Sequence, residues 1–161
     1  MLKNAYQMKS YERIFGSGSR GAIISTILFL VAYFFEDQIG FSQIFTNNVY
    51  RYSIFIFFSI LGIALVVWSL ISLPVKERGL TLVATGAFKY FRHPLYAAFL
   101  IFLNVGFAFL LNNWIYIFWA ALMFPIWSLN IRSEEKLMKN TFAEEYELYC
   151  NETWRFIPKL W

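Results

Sequence analysis

Charged residues are scarce in this chain. Only 15% of its 161 residues are Asp, Glu, Lys or Arg, whereas 59% are hydrophobic and 22% are aromatic. So few charges cannot cover a water-facing surface, and the composition therefore excludes an ordinary soluble globular protein. The length is enough for one domain.

Cysteine and histidine are almost absent as well. The chain has one of each, Cys150 and His93. A single cysteine cannot form an internal disulfide, and one Cys with one His do not make a zinc-ligand set. The GxSxG, HExxH and P-loop motifs are missing, as is GxGxxG after a strand. We therefore expect neither a metal site nor a nucleotide fold of the soluble type.

Long apolar runs dominate the chain instead. Such runs are typical of transmembrane helices, because a bilayer core about 30 Å thick needs roughly 20 helical residues. Four of them are predicted to span the membrane, at residues 21–35, 52–73, 94–111 and 114–131. Glu36 and Asp37 end the first run. Only Asn112 and Asn113 separate the third from the fourth, which predicts an antiparallel helical hairpin.

The first run has a second possible interpretation. Basic residues precede it, as they do in a secretory signal peptide, but no small-residue cleavage pattern follows Phe35. We expect an uncleaved anchor, and hence an all-α integral membrane protein with about four transmembrane helices and a cytoplasmic helical tail. A single membrane domain, 1–161, would comprise an interfacial segment (1–20), two spans (21–73) and a core that carries the functional site (74–161).

Positive charges fall almost entirely on one side of the predicted spans. Of the fourteen Lys and Arg residues, only Arg51 lies in the loops on the opposite side. Because Lys and Arg accumulate in cytoplasmic loops, both termini are predicted to be cytoplasmic. The net charge of +4 then reflects topology and anionic headgroups rather than nucleic acid. The membrane would be the inner membrane of a bacterium or the endoplasmic reticulum of a eukaryote.

The segment 92–96 (RHPLY) stands where the third span begins. Proline suits the first turn of a helix, so Pro94 is expected to start the span and to leave His93 at its cap. The free backbone donors beside Arg92 and His93 would then form a receptor for a carboxylate or phosphate. The alternative is that Arg92 and His93 only anchor a helix end among the headgroups.

Two adjacent carboxylates, Glu134 and Glu135, follow the fourth span, close to Asn130 and Arg132. Adjacent helical positions differ by about 100°, so only one of the two is expected to point into a pocket. A cationic ligand would account for a carboxylate there. The alternative is an exposed charged surface on which Glu135 pairs with Lys139.

Two unusual residues lie inside the predicted spans. Asn104, in the third, is of the kind that joins helices by hydrogen bonds more often than it contacts a substrate. Pro125, in the fourth, predicts a kink that either opens a lateral gap or adjusts packing.

Taken in order, these motifs resemble the isoprenylcysteine carboxyl methyltransferase family and the related phospholipid methyltransferases. The matching elements are 82–88 (LVATGAF), 90–96 (YFRHPLY), the helical hairpin, Glu134 with Glu135, 142–146 (FAEEY) with Tyr149, and 155–158 (RFIP). Together they cover roughly residues 79–158. Two positions depart from the family pattern: Ala143 replaces a glycine, interpreted as a mild change, and Asn130 replaces an arginine, with Arg132 two residues later.

The resemblance implies an S-adenosylmethionine-dependent membrane methyltransferase. It implies cofactor contacts at Leu80, Thr81, Leu82, Val83, Phe88, His93, Pro94, Leu95, Tyr96 and Glu134. Catalytic roles would fall on His93, Arg132 and Glu134, and acceptor contacts on Asn130 and Arg132. Each charge of the cofactor would then have a partner. Glu134 would pair with its ammonium, His93 would bind its carboxylate, and the ring of Phe88 or Tyr96 would face its sulfonium.

The methyl acceptor is expected to be lipophilic or lipid-borne and to reach the site laterally from the bilayer. Candidates are a prenylcysteine carboxylate, a phosphatidylethanolamine amine and a small thiol or other hydrophobic molecule. A carboxylate needs no base, whereas an amine must first lose a proton, to His93 or a nearby Glu. Two other classes stay open: an NADPH-dependent sterol reductase, whose C-terminal region is similar but which needs more spans, and a membrane scaffold that only grips headgroups.

Overall fold

The computed structural model describes residues 18–40, 42–73 and 81–159. Five helices account for most of them: α1 (Gly18–Ile39), α2 (Asn48–Ser72), α3 (Pro94–Leu111), α4 (Trp114–Asn130) and α5 (Arg132–Glu152). The described ranges contain no strand, so the predicted all-α class is confirmed. The predicted interfacial segment before the first span, up to residue 17, and the cofactor contact at Leu80 lie outside the described residues.

Four candidate membrane spans confirm the predicted number. Three of them are α1, α2 and α3, and the fourth is a continuous stretch of 39 residues, Trp114–Glu152. At 1.5 Å per residue a straight helix of that length would measure about 58 Å, roughly twice the bilayer core. The apolar part of this stretch is α4, which therefore crosses the membrane, whereas the charged α5 lies beyond it.

The first helix extends past the apolar run that the sequence marks. Glu36 and Asp37 are predicted to end it, but α1 continues to Ile39 and stops at Gly40, which has a φ of +68°. The Glu36 carboxylate is accommodated because it accepts hydrogen bonds from Tyr116 Oη at 2.7 Å and from an amide of the α3–α4 turn at 3.2 Å. The helix therefore extends beyond the last residue of the apolar run.

The hairpin between α3 and α4 is confirmed, and its two asparagines have separate roles. Asn112 ends α3 in the left-handed conformation, with a φ of 59°. Asn113 caps α4 by accepting a hydrogen bond from the Ile115 backbone N–H at 3.1 Å. The carboxamide of Asn112 also donates to and accepts from the backbone of Phe45, at 2.9 and 2.8 Å, which fastens the α1–α2 connection to the hairpin.

Glycines bring the helices into close contact. A Cβ atom added at Gly62 of α2 would lie only 2.6 Å from Leu103 of α3, and one at Gly106 of α3 would be nearly as close to α2. At Gly21 of α1 it would lie 2.6 Å from Trp127 of α4. Between helices in a bilayer, close van der Waals contact replaces the hydrophobic driving force, because lipid tails are as apolar as the side chains. These glycines thus fix α1 against α4 and α2 against α3.

The third helix is not regular throughout. Its residues Ala98–Leu103 form a π-helical stretch, a feature that often lies near functional sites. Asn104 follows this stretch directly and is half-buried. Its predicted role in joining helices stays a prediction.

Both ends of the described chain lie at the same end of the helix bundle, which we call the His93 end. A Cβ added at Gly18, the first residue of α1, would be 3.2 Å from the Tyr96 hydroxyl. Near the other terminus, the Trp154 carbonyl accepts a hydrogen bond from the Arg92 N–H at 2.8 Å. The opposite end of the bundle, which holds Glu36, is called the Glu36 end. That the His93 end faces the cytoplasm stays a prediction.

A kink divides α5 into two halves at Ala143, which has a φ of 47° and a ψ of −118°. Only glycine adopts this conformation without strain, and a residue held in it costs about 1–3 kcal/mol. The replacement of the family's glycine by Ala143 is therefore not mild. The kink turns the second half of α5 back, so that Tyr149 is buried and donates a hydrogen bond to the Phe88 carbonyl at 2.7 Å.

Replacing Ala143 with glycine should stabilise the protein. Relief of the strained backbone outweighs the entropy cost of glycine and leaves a gain of about 1 kcal/mol. This corresponds to a rise of about 2–4 °C in the thermal midpoint, which tryptophan fluorescence in detergent would measure.

The matched control is Ala64→Gly, at an exposed helical position of α2. Here the same chemical change should lower the midpoint, because glycine is a poorer helix former than alanine. If both variants lose stability to the same extent, Ala143 is not strained.

Candidate active site

The start of α3 is built as the sequence predicts, with Pro94 as its first residue and His93 at the N-cap. The His93 side chain is buried, with 8% of its surface exposed. Its backbone N–H donates to the Arg155 carbonyl at 3.0 Å, one residue after the Arg92–Trp154 bond. The C-terminal segment therefore runs alongside residues 91–93 and holds the histidine in place.

An aromatic shell surrounds the His93 imidazole. The Tyr96 ring stacks on it, with ring centres 5.6 Å apart and planes inclined by 14°. Phe156, which is 1% exposed, lies 6.2 Å away on another side. Tyr96 in turn contacts Trp127 of α4 at 4.9 Å. The imidazole thus lies in a largely apolar environment that strengthens its interactions with nearby charges.

Both carboxylates at the start of α5 face this histidine. Nδ1 of His93 lies 3.8 Å from Glu134 Oε1, and Nε2 lies 3.6 Å from Glu135 Oε1. The sequence predicts that only one of the two points into a pocket. The difference arises because the ring lies across the first turn of α5 and directs one nitrogen towards each carboxylate. Both distances exceed ordinary hydrogen-bond length.

Glu135 is held by two arginines. The Arg155 guanidinium donates to it through Nε at 3.1 Å and through Nη2 at 2.5 Å, and Arg92 Nη1 lies at 3.3 Å. Burial alone would raise the pKa of Glu135, but His93, Arg155 and Arg92 together outweigh burial and lower the pKa from 4.5 to about 2. Glu135 therefore stays ionised at neutral pH. Lys139, the partner of Glu135 in the alternative interpretation, pairs instead with Glu147 across the kink, at 2.6 Å.

Glu134 is more accessible than its neighbour. Its side chain is 28% exposed, compared with 12% for Glu135. Tyr96 Oη donates a hydrogen bond to Glu134 Oε2 at 3.2 Å. This carboxylate therefore lies between the aromatic shell and the outside.

The structure brings some of the predicted cofactor residues together. His93, Pro94, Tyr96 and Glu134 form one contact group at the start of α3, and Leu95 is half-buried in the same helical turn. Phe88 lies on the preceding 3₁₀ turn, Gly86–Lys89. The remaining described residues of this set, Thr81, Leu82 and Val83, lie in the segment just before that turn. Their roles stay predictions.

The two predicted acceptor residues point in different directions. Asn130, at the end of α4, is half-buried and faces α1, where a Cβ at Gly21 would lie 2.8 Å from its Nδ2. Arg132 is exposed. Between them Ile131 is fully buried. The catalytic and acceptor roles given to Arg132 therefore rest on the resemblance alone.

Sequence reasoning missed the residues that support this group. Arg155 belongs to the RFIP motif, but its contact with Glu135 requires α5 to fold back and is not visible in the chain order. Cys150 is a second case, since its Sγ accepts a hydrogen bond from Arg92 Nη1 at 3.0 Å. The available signal was the position of Arg155 between the aromatic residues Trp154 and Phe156.

Two buried polar atoms in the group have no hydrogen-bond partner among the described residues, namely Arg92 Nε and His93 Nε2. An unsatisfied buried polar atom costs about 1–3 kcal/mol, and most such atoms in folded proteins are paired. Both atoms belong to side chains that contact Glu135, the neighbour of Glu134, and a polar ligand in this group would supply their missing partner.

An apolar groove of about 560 Å³ runs between α1 and α4. Residues of both helices line it: Leu28, Val31, Ala32, Phe35, Ile39, Ile115, Phe118, Trp119, Ala121, Leu122 and Pro125. Ser25, one turn before the groove on α1, accepts hydrogen bonds from Trp119 Nε1 at its carbonyl and from Trp127 Nε1 at its hydroxyl, at 3.3 and 2.9 Å. Because Trp127 also contacts Tyr96, α4 connects the groove with the His93 group, and the groove extends from there towards the Glu36 end at Ile39 and Ile115.

Comparison with known proteins identifies the family. The isoprenylcysteine carboxyl methyltransferase (ICMT) family model matches residues 55–140. No curated protein and no solved structure matches the chain. The matched region is more than half of the chain and contains His93, Glu134 and Glu135, although it ends before Ala143 and the C-terminal motifs. The chain therefore belongs to the isoprenylcysteine carboxyl methyltransferase family of membrane methyltransferases.

Proposed function

We propose that this protein uses S-adenosylmethionine to methylate a lipophilic acceptor, with its active site at the His93 end. The observation that carries the proposal is the group of His93, Tyr96 and Glu134 at the start of α3, in a chain of this family. The cofactor combines an ammonium, a carboxylate and a sulfonium. A site for it needs an anion, a cation and an aromatic face close together, which Glu134, Arg92 and Tyr96 provide beside His93.

The residues present fit the cofactor. Glu134 would hold its ammonium, and Arg92 and His93 would supply donors to its carboxylate. The buried atoms Arg92 Nε and His93 Nε2, which have no hydrogen-bond partner among the described residues, support this arrangement. The Tyr96 ring offers a face to the sulfonium. When bound, the cofactor supplies an electrophilic methyl group.

The two adjacent carboxylates have different roles in this proposal. Glu135 is the positioning residue, because its arginine contacts join α5 to the C-terminal segment and to the start of α3. Glu134 is the binding residue, because it is more accessible and accepts a hydrogen bond from Tyr96 beside the aromatic shell. In this proposal Glu135 thus stabilises the site, and Glu134 binds the ligand.

The chain's own residues contribute mainly by positioning. In methyl transfer the acceptor attacks in line with the bond that breaks. Holding donor and acceptor in the correct position and orientation therefore provides most of the acceleration. A carboxylate acceptor would need no base. For an amine acceptor, such as that of phosphatidylethanolamine, His93 would take the proton, and the neighbouring Glu134 would stabilise the charged imidazole.

The groove between α1 and α4 supports a lipophilic acceptor that enters from the bilayer. It is apolar, it lies on the surface of two spans, and Pro125 forms part of its wall. A prenylcysteine carboxylate is the first acceptor to test. We also place the His93 end at the cytoplasmic face, in line with the positive charges, and assign the core of the enzyme to residues 74–161 and the supporting spans to 21–73.

Glu134→Gln should weaken cofactor binding by about tenfold or more, because it removes the negative partner of the cofactor ammonium. Calorimetric titration of the full chain in detergent with S-adenosylmethionine would measure this. Glu144→Gln, which removes an exposed carboxylate from the second half of α5, is the matched control and should leave the affinity unchanged. An unmodified chain that binds no cofactor, or equal affinities in the two variants, would refute the proposed site.

Glu135→Gln should lower the stability of the protein at neutral pH instead. It removes hydrogen bonds between charged groups and should cost about 2 kcal/mol, or about 4–8 °C in the thermal midpoint. Glu147→Gln removes an ion pair in which both side chains are more than half exposed, and should change the midpoint little.

The pH dependence gives a second check on Glu135. Its folded pKa of about 2 lies below the usual 4.5, so its contribution is complete above pH 4.5 and is lost as the pH falls towards 2. The thermal midpoints of the unmodified chain and of Glu135→Gln should therefore converge over this interval. A constant difference between them down to pH 2 would contradict the lowered pKa.

Leu122→Trp should fill the groove and select against long acceptors. Leu122 lines the groove and is 51% exposed, so the larger ring would take space that a hydrocarbon tail needs. For N-acetyl-S-farnesylcysteine we expect kcat/KM to fall about tenfold, since lost burial of two methylene groups costs about 1.6 kcal/mol.

The shorter N-acetyl-S-butylcysteine should be affected less by the same change. Leu129→Trp is the matched control, because Leu129 is exposed on α4 but does not line the groove. Equal losses for both acceptors, or equal effects of both variants, would place the acceptor tail elsewhere.

A further inference from the structure

A second polar cavity lies at the Glu36 end of the bundle and plays no part in the proposed reaction. It has a volume of about 320 Å³ and is lined by Glu36, Asp37, Gly40, Gln43, Arg51, Leu111, Asn112 and Asn113. This volume is at the lower end of the range for small-ligand sites. Gly18 and Glu36 are separated by eighteen helical positions of α1, which corresponds to about 27 Å. The cavity is therefore at the opposite membrane face from His93.

Hydrogen bonds between three parts of the chain hold the walls of this cavity. Tyr116 Oη and Asn113 Nδ2, both from the start of α4 and its cap, donate to the Glu36 carboxylate of α1. The Asn112 side chain forms hydrogen bonds with the Phe45 backbone. The backbone carbonyl of Asn112 accepts a hydrogen bond from the Ile44 N–H at 3.3 Å. These hydrogen bonds fix the walls of the cavity relative to one another.

Opposite charges face the cavity without being paired to each other. Arg51, on the first turn of α2, lies over the Tyr52 ring at 5.0 Å. Its Nε is buried and has no hydrogen-bond partner in the part of the chain that the structure describes. The ion pairs found among those residues do not include Arg51, Glu36 or Asp37. A ligand with one sign of charge would pair only with Arg51 or only with the two carboxylates, whereas a zwitterion would pair with both.

The position of the cavity indicates where such a zwitterion comes from. Exposed aromatic residues, Tyr50, Tyr52 and Trp114, lie on the helix ends beside it. Tyrosine and tryptophan at the ends of transmembrane helices mark the level of the lipid headgroups. The cavity therefore lies at the depth at which headgroups, rather than acyl chains or bulk water, surround the protein.

We propose that this cavity binds the headgroup of an aminophospholipid, with its phosphate on Arg51 and its primary ammonium between Glu36 and Asp37. A phosphate diester suits the Arg51 guanidinium, whose Nε needs an acceptor. The Glu36 carboxylate already accepts two hydrogen bonds and retains about two further lone-pair positions. A primary ammonium can donate to them, whereas the quaternary ammonium of phosphatidylcholine has no N–H group.

The test is a lipid titration of the full chain in detergent, followed by native mass spectrometry. Dioleoyl phosphatidylethanolamine should bind about tenfold more tightly than dioleoyl phosphatidylcholine or phosphatidylglycerol. Arg51→Gln should weaken binding of phosphatidylethanolamine and phosphatidylglycerol alike, because both present a phosphate. Asp37→Asn should remove only the advantage of phosphatidylethanolamine, because it acts on the ammonium.

Lys136→Gln, an exposed change of charge on α5 at the His93 end, is the matched control and should alter none of these affinities. Free phosphoethanolamine, added as a competitor, distinguishes a lipid from a soluble ligand with the same headgroup. Weak competition supports a lipid. Competition as strong as that of the lipid supports the soluble ligand and contradicts the proposal. Equal affinity for the three lipids overturns the proposal. So does an unchanged preference in Asp37→Asn, an exposed position at which the change should not disturb folding.

Discussion

The ion pairs of Glu135 with Arg92 and Arg155 are the interaction on which the His93 end depends. They join three segments that are far apart in the chain, namely the residue before α3, the first turn of α5 and the C-terminal tail. The backbone pairing of residues 92–93 with 154–155 lies beside them. Because Arg92 and Glu135 are only 17% and 12% exposed, their ion pair loses little to screening, and the junction holds the start of α3 next to the start of α5.

The spans and their order follow from features that the sequence displays directly. Apolar runs predict the helices, and the Asn112–Asn113 break predicts the hairpin, since neither depends on distant contacts. The position of His93 at a helix cap is of the same kind, because Pro94 decides it locally. The end of α1 differs from expectation for a tertiary reason: Glu36 can remain helical because Tyr116, eighty positions away, donates to its carboxylate.

The arrangement of charges within the site was less predictable. Helical periodicity predicted a single inward-facing carboxylate and offered a Glu135–Lys139 pair as the alternative. The kink at Ala143 brings Glu147 to Lys139 and Arg155 to Glu135, and both carboxylates face His93 because its ring lies across the first turn of α5. Arginine partners twenty or more positions apart leave no periodic signal, and only the folded tail brings them together.

The magnitudes explain why the strained kink persists. A residue in the conformation of Ala143 costs about 1–3 kcal/mol. Folding the chain back buries Tyr146 and Tyr149, and burial of a large side chain contributes about 1.5–3 kcal/mol. The charged hydrogen bonds between Arg155 and Glu135 add about 1.5–3 kcal/mol. Each of these contributions is at least comparable with the strain, so alanine is tolerated at a position where glycine would relieve the cost.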